Sequence, residues 1–285
     1  MRYEAPQSLD AAVALLRDHG DSAKILAGGT DLLVQLRGDM IAPDVVVDIK
    51  KIDETRAIED TAEGFRIGAA VSGMEMQDHA TLPSVWPGVV EAANLIGSTQ
   101  IQWRATMGGN LCNGSPAADS VPAMIAAGAV ASVAGPDGRR DVPVEEVVVG
   151  PRKLSLAPNE FIVSFLLPKR PERSADAYLR FIPRTEMDIA VVGCGVSITR
   201  DASGKITAAR VGLGAVAEKP LLVTEAGEAL VGTTCDDAAL DTLDKAVQAA
   251  ARPIADKRGT VEFRTEVAGV IARRTAEVAY ERAGA

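Results

Sequence analysis

Apolar positions at Leu9, Val13 and Leu16 recur at helical spacing, Ser8 stands ahead of them as a cap, and Gly20 follows as a stop. That pattern predicts a helix over roughly 9–18. The short run Lys24-Ile25-Leu26-Ala27 suits a buried strand. It leads into Gly28-Gly29-Thr30-Asp31, and Leu32-Leu33-Val34-Gln35-Leu36 then reads as a second helix. The β-branched residues at 45–49 predict another strand. The first fifty residues therefore alternate strand and helix, with a Gly-Gly turn between one strand and one helix.

Further along, 65–69 reads as a strand and 73–80 and 88–96 as helices. Residues 106–122 are rich in Gly, Asn, Ser, Pro and Asp. They predict a long structured loop, a kind of segment that is disproportionately functional. Strands are expected at 130–134 and 162–167, and a boundary near Pro168-Lys169-Arg170-Pro171. Beyond it, strand-like runs at 190–200 and 206–215 flank Asp201-Ala202-Ser203-Gly204, which suits a hairpin loop. Helical patterns follow near 221–231, 236–251 and 264–282. No internal repeat or low-complexity tract is seen.

Composition narrows the chemistry. The 285 residues include 39 acidic and 30 basic side chains, a formal charge of −9. That balance argues against a nucleic-acid partner, which requires clustered Lys and Arg. The hydrophobic share of 47% fits a globular protein, and the length suits two domains. No run of about 18 apolar residues predicts a membrane span. The opening Met1-Arg2-Tyr3-Glu4-Ala5-Pro6 lacks a signal-peptide core, so the expected location is the cytoplasm. Cys112, Cys194 and Cys235 are scattered, which argues against an iron–sulfur cluster held by this chain alone. His19 and His79 have no ligand-like neighbours, against a zinc site or a His-based triad. If the chain is catalytic, a cofactor is expected to supply the chemistry.

Two Gly-Gly segments are candidates for holding it. In Ala27-Gly28-Gly29-Thr30-Asp31, glycine permits a tight turn and close approach of backbone to a ligand. The following amides open toward a helix start, an arrangement suited to diphosphate. A strand–helix connection that needs glycine for sterics alone explains the same residues. Ala105-Thr106-Met107-Gly108-Gly109-Asn110 continues through Leu111-Cys112-Asn113-Gly114-Ser115-Pro116 to Asp119, placing neutral hydroxyls and amides beside the second Gly-Gly. A purely structural loop remains the alternative. Gly212-x-Gly214-x-x-Ala217 matches a loose dinucleotide fingerprint, but Pro220 follows and the preceding element reads as antiparallel, so a glycine-rich strand end is expected. His79 reads as a surface or capping residue, Arg139-Arg140 as a solvated turn after Pro136-Asp137-Gly138, and Arg273-Arg274 as the solvated face of the last helix.

Together the two Gly-Gly segments, with Ser115-Pro116-x-x-Asp119, resemble the FAD-binding medium subunit of the molybdenum hydroxylases, relatives of xanthine dehydrogenase and aerobic carbon monoxide dehydrogenase. The opening Tyr3-x-x-Pro6-x-Ser8-Leu9-x-x-Ala12 is similar to the family start. Met187-Asp188-Ile189-Ala190 and Val211-Gly212-Leu213-Gly214-Ala215-Val216 are similar to its C-terminal domain. The resemblance covers nearly the whole chain. It implies an α+β protein: a two-lobed FAD-binding fold of the vanillyl-alcohol oxidase type over 1–170, with lobes near 1–55 and 56–170, and a smaller α+β domain of antiparallel sheet and helices over 171–285.

It also implies site residues. Leu26, Ala27, Gly28, Gly29, Thr30 and Asp31 would hold the FAD diphosphate, and Thr106, Gly109 and Asn110, with Asn113 and Ser115, would continue the cradle. Asp119 would bond adenosine-side hydroxyls or position its loop. Ile96 and Gly97 align with positions near the cofactor, and Ile162 with an apolar position beside it. Arg180 stands where many relatives carry Lys, a planar fork in place of a point charge. Cys112 aligns near the flavin ring, where tuning or packing is expected, or is simply an inert thiol. The implied role is relay of electrons from the [2Fe–2S] clusters of a small partner to an external acceptor. A large partner would carry the molybdenum cofactor, in a dimer of heterotrimers. The 4-hydroxybenzoyl-CoA reductase type, whose corresponding subunit carries an inserted cluster loop, is disfavoured by the three scattered cysteines. A stand-alone flavin oxidase or reductase on the same fold is the alternative, and a scaffold without FAD is disfavoured by the intact Gly-Gly segments.

Overall fold

The structure is a computed structural model describing residues 1–285. Its first sheet is parallel and contains β1 (Arg2–Glu4), β2 (Ala23–Leu26) and β3 (Val45–Asp48) in the order β1-β3-β2. Every residue of β3 is buried, as expected of a parallel strand covered on both faces. The helix Leu9–His19 joins β1 to β2. Ser8 Oγ accepts the Ala11 N–H at its start, and Gly20 takes φ +50° at its end.

The second sheet is antiparallel. It is built from β4 (Ile58–Thr61), β5 (Gly64–Gly68), β6 (Val130–Gly135) and β7 (Gly138–Pro143). A small hairpin, β8 (Val148–Gly150) and β9 (Lys153–Leu154), precedes the long β10 (Phe161–Pro168), which enters the middle to give the order β4-β5-β10-β6-β7. Phe65, Ile67, Phe165 and Leu167 pack here against helices Pro87–Ala93 and Ser120–Ala127. Phe161 and Val163 of β10 instead join Leu16, Val45, Val47 and Ile49 in the core of the first sheet. The two lobes thus share a seam, and the cleft opens along it.

The third sheet is β11 (Ser174–Phe181), β12 (Val192–Arg200), β13 (Ile206–Gly214) and β14 (Leu221–Leu222), antiparallel in that order. Helices Thr224–Leu230, Asp237–Ala250 and Val261–Arg282 complete it. Asp201 closes the β12–β13 hairpin, its Oδ1 accepting the Ser203 and Lys205 N–H groups. The entirely buried helix Ser120–Ala127 lies on this sheet. A Cβ at Gly212 would meet the Pro122 carbonyl oxygen at 2.2 Å, and one at Gly195 would meet it at 2.6 Å. The glycines of β12 and β13 therefore admit a helix backbone, and Gly212-x-Gly214 ends an antiparallel strand.

Several local expectations change. Residues 106–122 are not one loop: Thr106 Oγ1 caps a helix Met107–Cys112, and Ser120 opens the next helix. Tertiary packing overrides the low helix propensity of Gly and Asn there. Arg139 and Arg140 lie on β7 rather than in a solvated turn, paired with Glu54 at 2.7 Å and Glu160 at 2.8 Å. Arg273 pairs with Asp241 of the neighbouring helix. His79 accepts the Thr81 and Leu82 N–H groups through Nδ1, at the start of the helix Leu82–Val85. No helix is long and apolar enough to cross a membrane.

Candidate cofactor-binding site

A cleft of about 420 Å³ runs between the first two lobes. One wall is the turn that follows β2, formed by Ala27, Gly28, Gly29, Thr30 and Asp31. The facing wall brings Ala69, Thr106, Gly108, Gly109, Cys112 and Asn113. Leu154, Leu156, Pro158, Phe161 and Ile162 add an apolar side.

The turn presents unused donors. None of the N–H groups of residues 28–31 donates to an acceptor of the chain, and neither does that of Gly108. Donors ahead of a helix are left to water or to a ligand, and their convergence on one cleft suits an anionic or oxygen-rich ligand. Steric need for glycine is also real. A Cβ on Gly28 would lie 2.0 Å from the Arg104 carbonyl oxygen, one on Gly108 would lie 2.5 Å from that of Ala69, and Gly29 holds φ +85°. The steric need for glycine thus falls on the same residues whose amides are unused.

Side chains cross-link the walls. Asn113 Nδ2 donates to Asp31 Oδ1 at 3.2 Å, and Gln35 Nε2 donates to Asn113 Oδ1 at 3.3 Å. Burial pushes the Asp31 carboxyl above its ordinary value. Cys112 opens to the cleft on one side, while the protein around its other sides desolvates the thiol and raises its pKa to about 12. The thiol is therefore protonated and a poor nucleophile at neutral pH.

These features fit FAD. Unpaired amides would suit a diphosphate, a neutral or apolar wall a flat ring, and a carboxylate and amides the ribose and ribityl hydroxyls. A family model described as the FAD binding domain in molybdopterin dehydrogenase matches residues 1–170, and the CO dehydrogenase flavoprotein C-terminal domain matches 177–279. The chain belongs to the FAD-binding medium subunits of the carbon monoxide and xanthine dehydrogenase family. This medium subunit is 34% identical over 281 residues to the carbon monoxide dehydrogenase medium chain of Afipia carboxidovorans, covering 99% of this chain and 97% of that one. It is 30% identical over 284 residues to the xanthine dehydrogenase FAD-binding subunit of Escherichia coli O157:H7, with coverage of 99% and 97%. It is similar to a chain of the reconstituted CO dehydrogenase from Oligotropha carboxidovorans, with TM-score 0.94, 33% identity and coverage of 99% and 98%. Like these relatives, the medium subunit is part of an oxidoreductase.

Other expected site residues of the medium subunit lie behind or beside the cleft lining. Leu26 ends β2 and supports Gly29, whose Cβ would meet its Cδ1 at 2.9 Å. Asn110 Oδ1 accepts the Ser120 N–H and hydroxyl, and Ser115 Oγ accepts the Ala117 N–H. Ile96 and the left-handed Gly97 (φ +68°) form a half-buried turn after the helix Pro87–Ala93. Asp119 and Arg180 face each other across the domain boundary at 2.7 Å, and Tyr178 donates to the other Asp119 oxygen at 3.1 Å. Burial pushes the Asp119 carboxyl up, against the pull of Arg180 and Tyr178.

Asp21, Lys24, Leu154, Leu156, Pro158, Glu160 and Phe161 also line the cleft, beyond the residues expected of it. The alternation of Leu154 and Leu156 ahead of β10 is the one local sign of an apolar wall. Which cleft that wall faces depends on the fold.

Proposed function

We propose that the medium subunit relays electrons within a three-part molybdenum hydroxylase. Its source would be [2Fe–2S] clusters on a small partner, filled by a large partner that carries the molybdenum cofactor and oxidises the substrate. Its outlet would be an external acceptor such as NAD⁺, oxygen or a quinone. The observation that carries this reading is the cleft itself, rich in backbone donors and poor in acid–base groups. It contains no histidine, its one thiol is held neutral, and two of its carboxylates are committed, Asp31 to Asn113 and Glu160 to Arg140. A relay flavin requires placement and electrostatic tuning rather than a side-chain acid and base.

FAD, when bound, supplies reversible two-electron redox chemistry. The chain's own residues would position it. The amides of 28–31 would take the diphosphate, with Ala27 and Leu26 setting the turn. Thr106, Gly109 and Asn110 would set the opposite wall, with Asn113 and Ser115 fixing its loop. Ile162 and Cys112 would pack beside the ring, and Ile96 and Gly97 would border it. Asp119 and Arg180 would join the boundary between FAD-binding and C-terminal domains at about residue 170 to the cofactor loop. The assembly would be a dimer of heterotrimers in the cytoplasm.

The test uses the intact complex stripped of FAD. Substrate should still bleach the iron–sulfur absorption while reduction of an acceptor dye is lost and returns with added FAD. Dye reduction that persists without FAD contradicts the relay. A flavoprotein that oxidises substrate without partners would instead support the stand-alone oxidase.

A further inference from the structure

The C-terminal ends of the three parallel strands are tied together by side chains just outside the cleft. Tyr3 on β1 donates its hydroxyl to Asp48 Oδ2 at 2.6 Å. Asp48, the last residue of β3, holds Lys50 Nζ at 2.7 Å and also accepts the Lys50 N–H at 3.0 Å. Lys50 Nζ then donates to the Ala27 carbonyl oxygen at 2.9 Å. The β2–β3 register ends at Leu26 and Asp48, so Ala27 is the first residue with no ladder to orient it. Lys50 supplies that orientation without itself lining the cleft, whose wall includes Ala27 and Gly28.

A trans peptide points its C=O and N–H in opposite directions. Fixing the Ala27 carbonyl on Lys50 therefore aims the Gly28 N–H away from Lys50. That N–H has no acceptor in the chain. A glycine at 28 leaves its peptide unusually free to rotate, and a flipped peptide would turn a carbonyl oxygen toward the cleft, where it repels an anion. The Lys50 side chain is 22% exposed and that of Asp48 9%, so water competes weakly for the bond. Burial pushes the Asp48 carboxyl up, but hydrogen bonds from Lys50 and Tyr3 and the Lys50 charge outweigh it and hold Asp48 below the usual carboxylate range.

We propose that Lys50, oriented by Asp48 and Tyr3, is a positioning residue for the diphosphate half of the flavin site, clamping the Ala27–Gly28 peptide so that the Gly28 N–H serves the cofactor. The inference rests on the cleft being the FAD site. Lys50 touches the cofactor's cradle and not the reacting ring, so its removal changes cofactor affinity before it changes chemistry.

The full-length chain is freed of flavin and titrated with FAD, following flavin fluorescence, alongside the melting temperature of the FAD-free protein. Lys50→Met should weaken FAD binding about ten-fold. Lys50→Arg, which keeps donors and charge, should restore binding to within about three-fold of the original chain. Tyr3→Phe removes one hydroxyl from a side chain that is 60% exposed, so it should fold normally and weaken FAD about two-fold. Unchanged affinity in Lys50→Met, or equal loss in the Met and Arg variants, overturns the proposal. If Lys50→Met does not fold, unchanged FAD affinity in Tyr3→Phe overturns it. Failure of the unmodified chain to bind FAD would instead remove the cofactor reading on which the proposal rests.

Discussion

Arg180 on β11 meets Asp119 at 2.7 Å, and the two side chains are 5% and 11% exposed. The pair joins the loop ahead of the helix Ser120–Ala127 to the C-terminal sheet, so the cofactor-binding half and the C-terminal half are coupled by a shielded charge. Removing one partner from such a pair leaves the other ion buried and alone. Asp119→Ala should lower the unfolding free energy by about 3–5 kcal/mol, measured by urea denaturation of the FAD-free chain. Adding Arg180→Met to it should recover part of the loss. Additive losses in the double variant would show that the two residues are not coupled.

The two Gly-Gly segments should respond differently to one added methyl. At Gly28 a Cβ would lie 2.0 Å from backbone oxygen, whereas at Gly109 it meets only Thr106 Oγ1 at 3.2 Å. Gly28→Ala should therefore lower both the melting temperature and FAD content. Gly109→Ala should melt near the original temperature yet bind FAD about ten-fold more weakly, because the methyl group enters the cleft margin. Thermal melts with FAD titrations check both, and equal behaviour of the two variants would contradict the geometry.

Cys112 should behave as a neutral thiol. With its pKa raised to about 12, the thiolate fraction at pH 8 is about 10⁻⁴. Deprotonation, and with it alkylation, should increase as pH rises and should not saturate below the raised pKa. Iodoacetamide labelling of the FAD-free chain, followed by peptide mass spectrometry, should climb about ten-fold per pH unit from 7 to 9.5. A plateau within that range would mean a more acidic, reactive thiol.

Local signals were the ones most readily legible in the sequence. The strand, Gly-Gly turn and helix at 23–37 follow from an apolar run, two glycines and a second apolar run. The cap at Ser8 and the hairpin at 201–204 are likewise local chemistry. The helix Met107–Cys112 was hidden because Gly108, Gly109 and Asn110 have low helix propensity and its support comes from Ala69 and the Thr106 cap. Arg139 and Arg140 pair locally, with Ala134 and Val133 of β6 across the Pro136-Asp137 turn, but the side-chain partner of Arg139, Glu54, is 85 residues away. The role of Gly212 follows only once Pro122 is seen against it. In the candidate site, both Gly-Gly walls were readable, whereas the apolar side from 154 to 161 and the clamp from Tyr3 to Ala27 require distant strands to be brought together.

The cofactor itself provides the most direct test. The full-length chain, purified without partners, should show flavin absorption. Acid treatment should release about one FAD per chain, as the one cleft between the first two lobes allows, with no iron absorption. A chain that is folded by circular dichroism, purifies without flavin and does not take up added FAD, alone or in its complex, would contradict the account.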